Sequence, residues 1–484
     1  MKFKLFIYIF ILLAMGFATS SEAQGLWQPH LKIQYNQQSP TQSIYFPLYD
    51  TITISFIGDV MQHMPQINSA KNAAKASEKV KQTPDNQKDH IVITTGTTTV
   101  SSAHAIGTET TTSTTVINSA ETTRTTEVTA TRAAETTATN LKNISGSPIQ
   151  YDYTNTFKYM EKHISETDYM VANMELTIGV PPYSGYPMFS APKEIAIQAQ
   201  QAGIDIFMMA NNHIADKGAK GLQRTLDFYK EIGVHTVGVY ENKAAEEKSN
   251  PLIIDIKGVR FALFNFTYDT NGLPVPAPFV VCLEDTTHIQ QVVKRAKAAN
   301  ADFIIALPHW GLEYHLQPSE NQRKLVEFMF SLGVDAVVGS HPHVPQPIEI
   351  TFDGTLERYT LNKCLGKNAF DKKTVETVYK TENYNYFDNN SNNINISNTN
   401  AHSNFGRRTA TFYSLGNYVS NQSNPSQTQI GMFVSLKFRR NRLTGTKEML
   451  YPTWFYTRCF RPGEKLPDGQ ISEDYIVIPF YSEN

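Results

Sequence analysis

Two short apolar runs within residues 302–346 each end in histidine, and this repeated pattern constrains the fold more than any other feature of the chain. The first run ends at His309, and the second ends at His341 and His343. Such β-branched runs are typical of buried parallel strands, and the stretch between them, roughly residues 320–332, has the spacing of a crossover helix. The segment is therefore predicted to be a βαβ unit with three imidazoles at the carboxyl ends of two strands, where open α/β sheets bind ligands.

The rest of the chain repeats this alternation of strands and helices, which predicts an α/β fold with a mostly parallel core. Several predicted strands end in polar side chains, and these residues are Asp59, Glu175, Asn211, Asn212, His213, His309, His341, His343 and Asn417. Carboxylates, imidazoles and amides at one sheet edge suit a divalent transition metal such as Zn, Mn or Fe. Such an ion lowers the pKa of bound water and neutralises charge on a phosphoryl or carbonyl oxygen.

Each of these residues taken alone also has an ordinary structural interpretation. A strand-end aspartate often forms a turn, and Asn212 or Asp216 could cap the helix predicted to follow them. Residues of the types of Trp310, Tyr314 and Tyr418 are more often packing residues than substrate platforms. The metal-site hypothesis therefore depends on the coincidence of many such residues at one sheet edge.

The composition narrows the class of protein. A formal net charge of -2 over 484 residues argues against a nucleic-acid partner, because nucleic-acid binders usually carry a basic face. The three cysteines, Cys282, Cys364 and Cys459, are widely spaced and form no Cys-x-x-Cys pair. This spacing favours buried free thiols and leaves open one disulfide with a free thiol.

The amino terminus indicates export. Lys2 and Lys4 precede an apolar run over residues 5–17, and a short polar stretch follows it. This pattern predicts a signal peptide over residues 1–23 and an arm over residues 24–48, and hence a protein of the periplasm or cell envelope. The alternative is an uncleaved segment that anchors the protein, although the apolar run is short for a membrane span.

Residues 49–484 are predicted to form one domain that two low-complexity insertions interrupt. Residues 71–143 are rich in Thr, Ala and Ser, and residues 360–404 are rich in Asn. Segments of this composition bury too little apolar surface to offset the entropy lost on ordering. The first insertion is therefore expected to be disordered or only weakly helical, and the second to be flexible.

Six short motifs, in this order, resemble the bacterial capsule-synthesis family of the poly-γ-glutamate, CapA type. They are Gly58-Asp59-Val60-Met61, Ala172-Asn173-Met174-Glu175, Ala210-Asn211-Asn212-His213, His309-Trp310-Gly311-Leu312-Glu313, Gly339-Ser340-His341-Pro342-His343 and Ser414-Leu415-Gly416-Asn417. The resemblance covers residues 52–422 apart from the insertions. The family is similar to calcineurin-like metallophosphoesterases, which implies a four-layer αββα sandwich with a metal site at strand ends.

The resemblance also implies roles for individual residues. The implied metal ligands are Asp59, Glu175, Asn212, His309, His341 and His343, with His213 as the catalytic group that stabilises or protonates the leaving group. The implied substrate-binding residues are Asn211, Trp310, Glu313 and Asn417. The chain departs from the superfamily in two places, since Met61 replaces a usual histidine and Glu175 a usual bridging aspartate. A single metal ion is therefore the safer expectation, with two ions as the alternative.

The function implied is that of an exported metal-dependent hydrolase in the synthesis, release or attachment of an anionic surface polymer. The expected partners are that polymer or its precursor and membrane-bound proteins of polymer synthesis or export. The main alternative is a non-catalytic, polymer-binding component of a capsule assembly or export complex, which the absent histidine favours. A third hypothesis is a surface adhesin in which the Thr-rich insertion carries the function.

Overall fold

The computed structural model describes residues 48–82, 150–352, 354–361 and 408–480. The expected signal peptide, most of the arm, Cys364 and most of both insertions lie outside these ranges. Residues 71–82 of the predicted Thr-rich insertion belong to helix α1 (Met64–Gln82). The described residues divide into two compact units, the first with residues 48–50 and 440–446, and the second with the described residues of 51–439 and 447–480. All the candidate site residues belong to the second unit.

The first sheet has nine strands, which are numbered here in chain order. They are β1 (Tyr49–Val60), β2 (Tyr169–Met174), β3 (Ile206–Met208), β4 (His235–Val237), β14 (Asn417–Val419), β15 (Ile430–Asn441), β16 (Lys447–Met449), β17 (Thr453–Phe460) and β18 (Ile476–Phe480). Their order is β18-β17-β15-β1-β2-β3-β4, with β14 paired to β1 and β16 to β15. Strands β1 to β4 are parallel, so their carboxyl ends lie at one edge.

The second sheet has seven strands, in the order β12-β11-β13-β10-β9-β7-β6. They are β6 (Leu252–Ile256), β7 (Val259–Thr267), β9 (Phe303–His309), β10 (Ala336–Val338), β11 (Ile348–Phe352), β12 (Thr355–Tyr359) and β13 (Thr409–Phe412). The four central strands β7, β9, β10 and β13 are parallel. A separate two-stranded sheet pairs β5 (Val239–Tyr240) with β8 (Val280–Val281).

Helices cover the outer faces of both large sheets. In addition to α1 they are α2 (Thr154–Lys158), α3 (Glu161–Ser165), α4 (Glu194–Gln201), α5 (Gly218–Glu231), α6 (Lys243–Ser249), α7 (Thr286–Ala298) and α8 (Glu320–Leu332). Apolar residues of α1 to α5 pack on the first sheet, and those of α7 and α8 pack on the second. A third cluster, which includes Phe56 and Leu263, fills the space between the sheets. The expected four-layer αββα sandwich is confirmed.

The predicted βαβ unit is confirmed as β9, α8 and β10. Helix α8 begins at a capping box formed by Ser319 and Gln322, and it ends at Gly333, whose φ of 102° suits glycine. Residues 252–266, which are apolar enough to suggest one strand, form a hairpin because Lys257 and Gly258 take positive φ values. These local signals explain why the chain turns where it does.

Two further findings concern the chain as a whole. None of the helices in the described ranges is both long and apolar enough to cross a membrane. Of the three cysteines, Cys282 and Cys459 lie in those ranges, and both are buried free thiols. Burial raises the pKa of each thiol to about 12, so neither is a reactive thiolate near neutral pH.

Candidate metal centre

The carboxyl ends of the parallel strands bring the polar motifs to one edge of the sandwich. Asp59 lies near the end of β1, where it pairs in register with Asn417 of β14. The two strands approach closely at Gly58 and Gly416, because a Cβ on Gly58 would lie 1.8 Å from the Gly416 carbonyl oxygen. Gly416 also has a φ of 67°, which favours glycine. These glycines therefore allow Asn417 to lie beside Asp59.

Three overlapping groups of ligand atoms form at this edge, each within 4.8 Å. The groups are Glu175 with His309 and His341, Asp59 with Glu175 and His343, and Glu313 with His341 and His343. Glu175 belongs to two of them and therefore lies between the two sets of imidazoles. The long-range contacts of the fold thus bring five of the six expected metal ligands into ligand groups.

Glu175 is the residue that most strongly indicates a cation. Its side chain is 0% exposed, and neither carboxylate oxygen has a hydrogen-bond partner among the described residues. Its Oε1 lies 3.7 Å from His309 Nε2 and 3.8 Å from His343 Nε2. Burial, followed by the charge of Asp59, raises the pKa of Glu175 well above its ordinary value. A buried carboxylate without partners is costly, and a bound cation would remove that cost.

His343 is held in the geometry of a histidine ligand. Its Nδ1 lies 3.1 Å from Asp59 Oδ2 and 3.1 Å from Asn417 Oδ1. Both oxygens can only accept, so Nδ1 carries the proton and the Nε2 lone pair faces Glu175. A metal-binding histidine commonly donates its other ring N–H to a carboxylate or carbonyl oxygen in this way.

His341 is the first imidazole of the His-Pro-His motif, and its Nδ1 is buried without a partner in the described part of the chain. Its ring centroid lies 4.8 Å from that of His309 and 5.8 Å from that of His343. The φ values of His341 and His343 are 98° and 59°, so the motif is a turn rather than the extended strand end that its spacing indicates. Burial and the neighbouring His343 lower the pKa of His341 well below its ordinary value, which keeps the ring neutral.

His309 completes the imidazole set at the end of β9. Its Nε2 lies 2.8 Å from Asn212 Oδ1, and its Nδ1 lies 3.1 Å from Asn173 Nδ2. Burial, followed by His341, lowers the pKa of His309 well below its ordinary value. The Asn212 side chain therefore faces the site and does not cap the following helix.

His213 is oriented by an acidic partner. Its Nδ1 lies 2.9 Å from Asp216 Oδ2, which also accepts a hydrogen bond from the Phe189 backbone N–H at 2.7 Å. The Phe189 ring packs edge-on against His213 with the centroids 4.5 Å apart. Helix α5 begins after Lys217 without a side-chain cap, so Asp216 orients His213 instead of capping the helix.

The four expected substrate-binding residues differ in accessibility. Trp310 is 0% exposed, and its indole N–H donates to a backbone carbonyl 2.9 Å away. Asn211 is also buried, and its Nδ2 donates to another backbone carbonyl at 2.9 Å. Asn417 is buried against His343, whereas the Glu313 side chain is 44% exposed with Oε1 4.0 Å from His343 Nε2. Of these four, Glu313 is the one that a substrate can reach directly.

Sequence reasoning missed three residues of the site. Asn173 lies within a recognised motif and contacts Asp59 and His309. Tyr268 and Asn271 lie in the loop after β7, where no residue pattern marks them. The Tyr268 ring lies 4.5 Å from that of His341, and Asn271 Oδ1 accepts from Asn212 Nδ2 at 3.2 Å.

His63 lies four residues after Asp59 in the sequence and could substitute for the histidine that Met61 replaces. Its Nδ1 lies 3.2 Å from Gln66 Oε1, and it belongs to none of the ligand groups found in the described ranges. Burial lowers the pKa of His63 to about 4.

A fourth group of potential ligand atoms, Glu246, Cys282 and His288, lies apart from this edge. Glu246 is paired there with Lys243, His288 and Arg295. Lys243 and Arg295 neutralise the carboxylate, so the group is a buried ion-pair network rather than a metal site.

Two facing sheets covered by helices, with imidazoles and carboxylates at the strand ends, define a four-layer α/β protein with a candidate metal centre. The family model described as "Bacterial capsule synthesis protein PGA_cap" matches residues 53–422. The chain belongs to this family.

Two relatives and one solved structure illustrate the comparison. The chain is 28% identical over 239 residues to the capsule biosynthesis protein CapA of Bacillus anthracis, with 47% of this chain and 56% of the relative covered. It is 30% identical over 234 residues to the PGA biosynthesis protein CapA of Bacillus subtilis (strain 168), with 46% and 58% covered. The chain thus matches less than two thirds of either relative.

Among solved structures, the chain is similar to a putative 5'-nucleotidase from Staphylococcus aureus in complex with alpha-ketoglutarate. The TM-score is 0.36 at 11% identity, with 70% of this chain and 51% of that chain covered.

Proposed function

We propose that the protein is an exported, metal-dependent hydrolase of the phosphoesterase type that acts on an anionic surface polymer or its precursor during capsule biosynthesis. The observation that carries this proposal is Glu175, a fully buried carboxylate without hydrogen bonds that lies between two sets of imidazoles. Membership of the capsule synthesis family supports the biological role. The basic and apolar amino-terminal pattern supports export to the periplasm or cell envelope.

The residues present fit a divalent ion of the Mn, Zn or Fe type. Those that would hold it are Asp59, Glu175, Asn212, His309, His341 and His343. When bound, such an ion would lower the pKa of a water molecule and neutralise charge on a phosphoryl oxygen. Since Glu175 belongs to two ligand groups, the arrangement offers positions for two ions as well as for one.

The chain's own residues would supply the proton chemistry. Asp216 occupies Nδ1 of His213, which leaves Nε2 as the nitrogen available to a leaving-group oxygen. The Asp216 carboxylate stabilises positive charge on the ring, as a carboxylate does for a histidine acting as general acid. Glu313 stands at the exposed side of the site and would meet the part of the substrate next to the scissile bond.

A second candidate is a polymer-binding component of a capsule assembly or export complex that has no catalytic activity. Met61 favours it, because a buried thioether occupies the position at which the superfamily usually has a histidine. Membrane-bound proteins of polymer synthesis or export would be the partners in either case. A binder should keep its affinity for polymer after chelation, whereas a hydrolase should lose turnover.

The test is a hydrolysis assay of the mature protein loaded separately with Mn²⁺, Zn²⁺ and Fe²⁺. Chromogenic phosphomonoesters and phosphodiesters and purified poly-γ-glutamate would be the substrates. His213→Gln should lose about 10²–10⁴-fold in turnover while it keeps its metal, since general acid catalysis contributes about that factor. His343→Ala should lose metal and turnover together while it stays folded.

His315→Gln is the matched control, because His315 is an exposed histidine close in sequence to the site. It should retain both metal and turnover. Folded His343→Ala protein with unchanged metal content would contradict the ligand assignment. Polymer binding that survives chelation, together with no turnover under any metal, would support the second candidate.

A further inference from the structure

Asn173 lies at the end of β2 and touches one ligand from each of the two groups that share Glu175. Its side chain is 0% exposed. Its Nδ2 lies 2.7 Å from Asp59 Oδ1 and 3.1 Å from His309 Nδ1. Its Oδ1 is buried and has no hydrogen-bond partner within the described ranges.

The chemistry of these contacts fixes the direction of each hydrogen bond. A carboxylate oxygen can only accept, so the atom that Asn173 presents to Asp59 must be its amide nitrogen. The same nitrogen faces His309 Nδ1, and its second hydrogen is donated there. Nδ1 of His309 is therefore an acceptor, and the proton of the neutral ring resides on Nε2. That proton is donated to Asn212 Oδ1, which lies 2.8 Å away.

His343 shows the opposite arrangement. Its Nδ1 faces two oxygens that only accept, from Asp59 and Asn417, so its Nε2 lone pair is free. His343 is therefore ready to bind a cation, whereas the Nε2 of His309 carries a proton. The difference between the two imidazoles comes from the Asn173 amide.

We propose that Asn173 is a positioning residue whose amide joins Asp59 to His309 and holds His309 in the Nε2–H tautomer, so that the two ligand groups are coupled. The part of this inference that concerns metal binding rests on the proposed function. For His309 Nε2 to become a ligand, its proton must move to Nδ1, and Asn173 must then present an acceptor to that nitrogen. The Oδ1 atom without a partner can do so if the amide turns, and the turn breaks the hydrogen bond to Asp59.

The tautomer can be read in the metal-free protein by NMR of ¹⁵N-labelled histidine, with His309→Gln used to assign the signal. The wild type should show Nε2–H. Asn173→Asp preserves the size of the side chain but presents an acceptor to His309, so the proton should move to Nδ1. Asn265→Asp is the control, because this buried asparagine bonds only to the backbone of Ala210 and Leu307 and should leave the tautomer unchanged.

The coupling can be read by calorimetric titration of Mn²⁺ into the wild type, Asn173→Ala and Asn265→Ala. Alanine cannot present the acceptor that Nδ1–H of His309 needs when Nε2 becomes a ligand. Loss of such a partner costs about 10–100-fold in metal affinity, which is the effect expected for Asn173→Ala and not for Asn265→Ala. An Nδ1–H tautomer in the wild type, or an Nε2–H tautomer retained in Asn173→Asp, would overturn the inference. Equal Mn²⁺ affinity in the wild type and Asn173→Ala would overturn the coupling.

The two readouts separate this inference from the proposed function. Suppose that the wild type shows the Nε2–H tautomer, that the proton moves to Nδ1 in Asn173→Asp, and that the wild type binds no Mn²⁺. These results would support the positioning of His309 by Asn173, and they would refute both the metal-dependent hydrolase and the coupling of the ligand groups. If Asn173→Ala does not fold, the tautomer measurement on the wild type and Asn173→Asp decides alone.

Discussion

The Glu175→Gln variant should be more stable than the wild type without metal and less stable than the wild type with metal. In the wild type, burial and Asp59 raise the pKa of Glu175 well above its ordinary value. The metal-free folded state is therefore penalised as the pH rises above about 4.3, the ordinary pKa of a glutamate in an unfolded chain. Below that pH the carboxyl is protonated in both states, and the penalty disappears.

The size of the effect follows from linkage. Each pH unit above about 4.3 costs about 1.4 kcal/mol for as long as the buried carboxyl stays protonated, so the penalty at about pH 7 is at most about 4 kcal/mol. Glutamine removes it. With a chelator near pH 7, the free energy of unfolding of Glu175→Gln should therefore exceed that of the wild type by about 1–4 kcal/mol. This difference should shrink as the pH falls toward about 4.

Metal should restore the usual order. At a metal concentration of about 1,000 times the dissociation constant, the wild type gains about 4.1 kcal/mol, and the variant gains little because its central ligand is gone. Urea unfolding followed by circular dichroism, with chelator and with Mn²⁺, measures both differences. Glu241→Gln is the control, since this glutamate is exposed and belongs to none of the ligand groups in the described ranges, so it should change stability very little with or without metal. A Glu175→Gln variant that is less stable than wild type in chelator would refute the reasoning.

Three further predictions concern neighbouring residues. Burial lowers the pKa of His63 to about 4, so the folded state loses stability as the pH falls from about 6.5 to about 4. The free energy of urea unfolding of His63→Asn should not show that loss, and the metal content of this variant should equal that of the wild type. Trp310→Phe leaves a backbone carbonyl without its hydrogen-bond donor, so the free energy of unfolding should fall by about 1–3 kcal/mol while KM stays unchanged. A raised KM at unchanged stability would instead make Trp310 a substrate contact. Asp216→Asn should lower kcat because His213 loses the carboxylate that orients it, while the metal content measured by mass spectrometry stays unchanged. A kcat equal to that of the wild type would exclude the orienting role of Asp216.

Much of the fold could be predicted because its signals are local. The bounds of α8 follow from the apolar spacing, the Ser319 cap and the glycine at Gly333, all of which lie within a short window. The parallel topology then places the strand ends at one edge, which is why polar residues far apart in sequence could be expected to meet. The βαβ unit and the mostly parallel core could be predicted on these grounds, whereas the four-layer architecture was implied by the resemblance to the capsule-synthesis family.

The hydrogen-bond pattern inside the site was not accessible, because it depends on contacts between distant parts of the chain. Asn173 lies 114 residues from Asp59 and 136 from His309, and no local pattern shows which of them its amide meets. The left-handed φ values of His341 and His343 likewise arise from the turn that follows β10 and not from strand alternation. Exposure also escapes the sequence, since the same motif contains the buried Trp310 and the accessible Glu313.

The central claim is that the strand-end cluster holds a divalent metal, and metal content tests it most directly. The mature protein would be purified without chelators and analysed by mass spectrometry beside a His341→Ala/His343→Ala double variant, with the fold of both checked by circular dichroism. Stoichiometric metal in the wild type and none in the folded double variant is the result predicted. No metal in either protein, even after reloading with Mn²⁺, Zn²⁺ or Fe²⁺, would contradict the claim and favour the polymer-binding alternative.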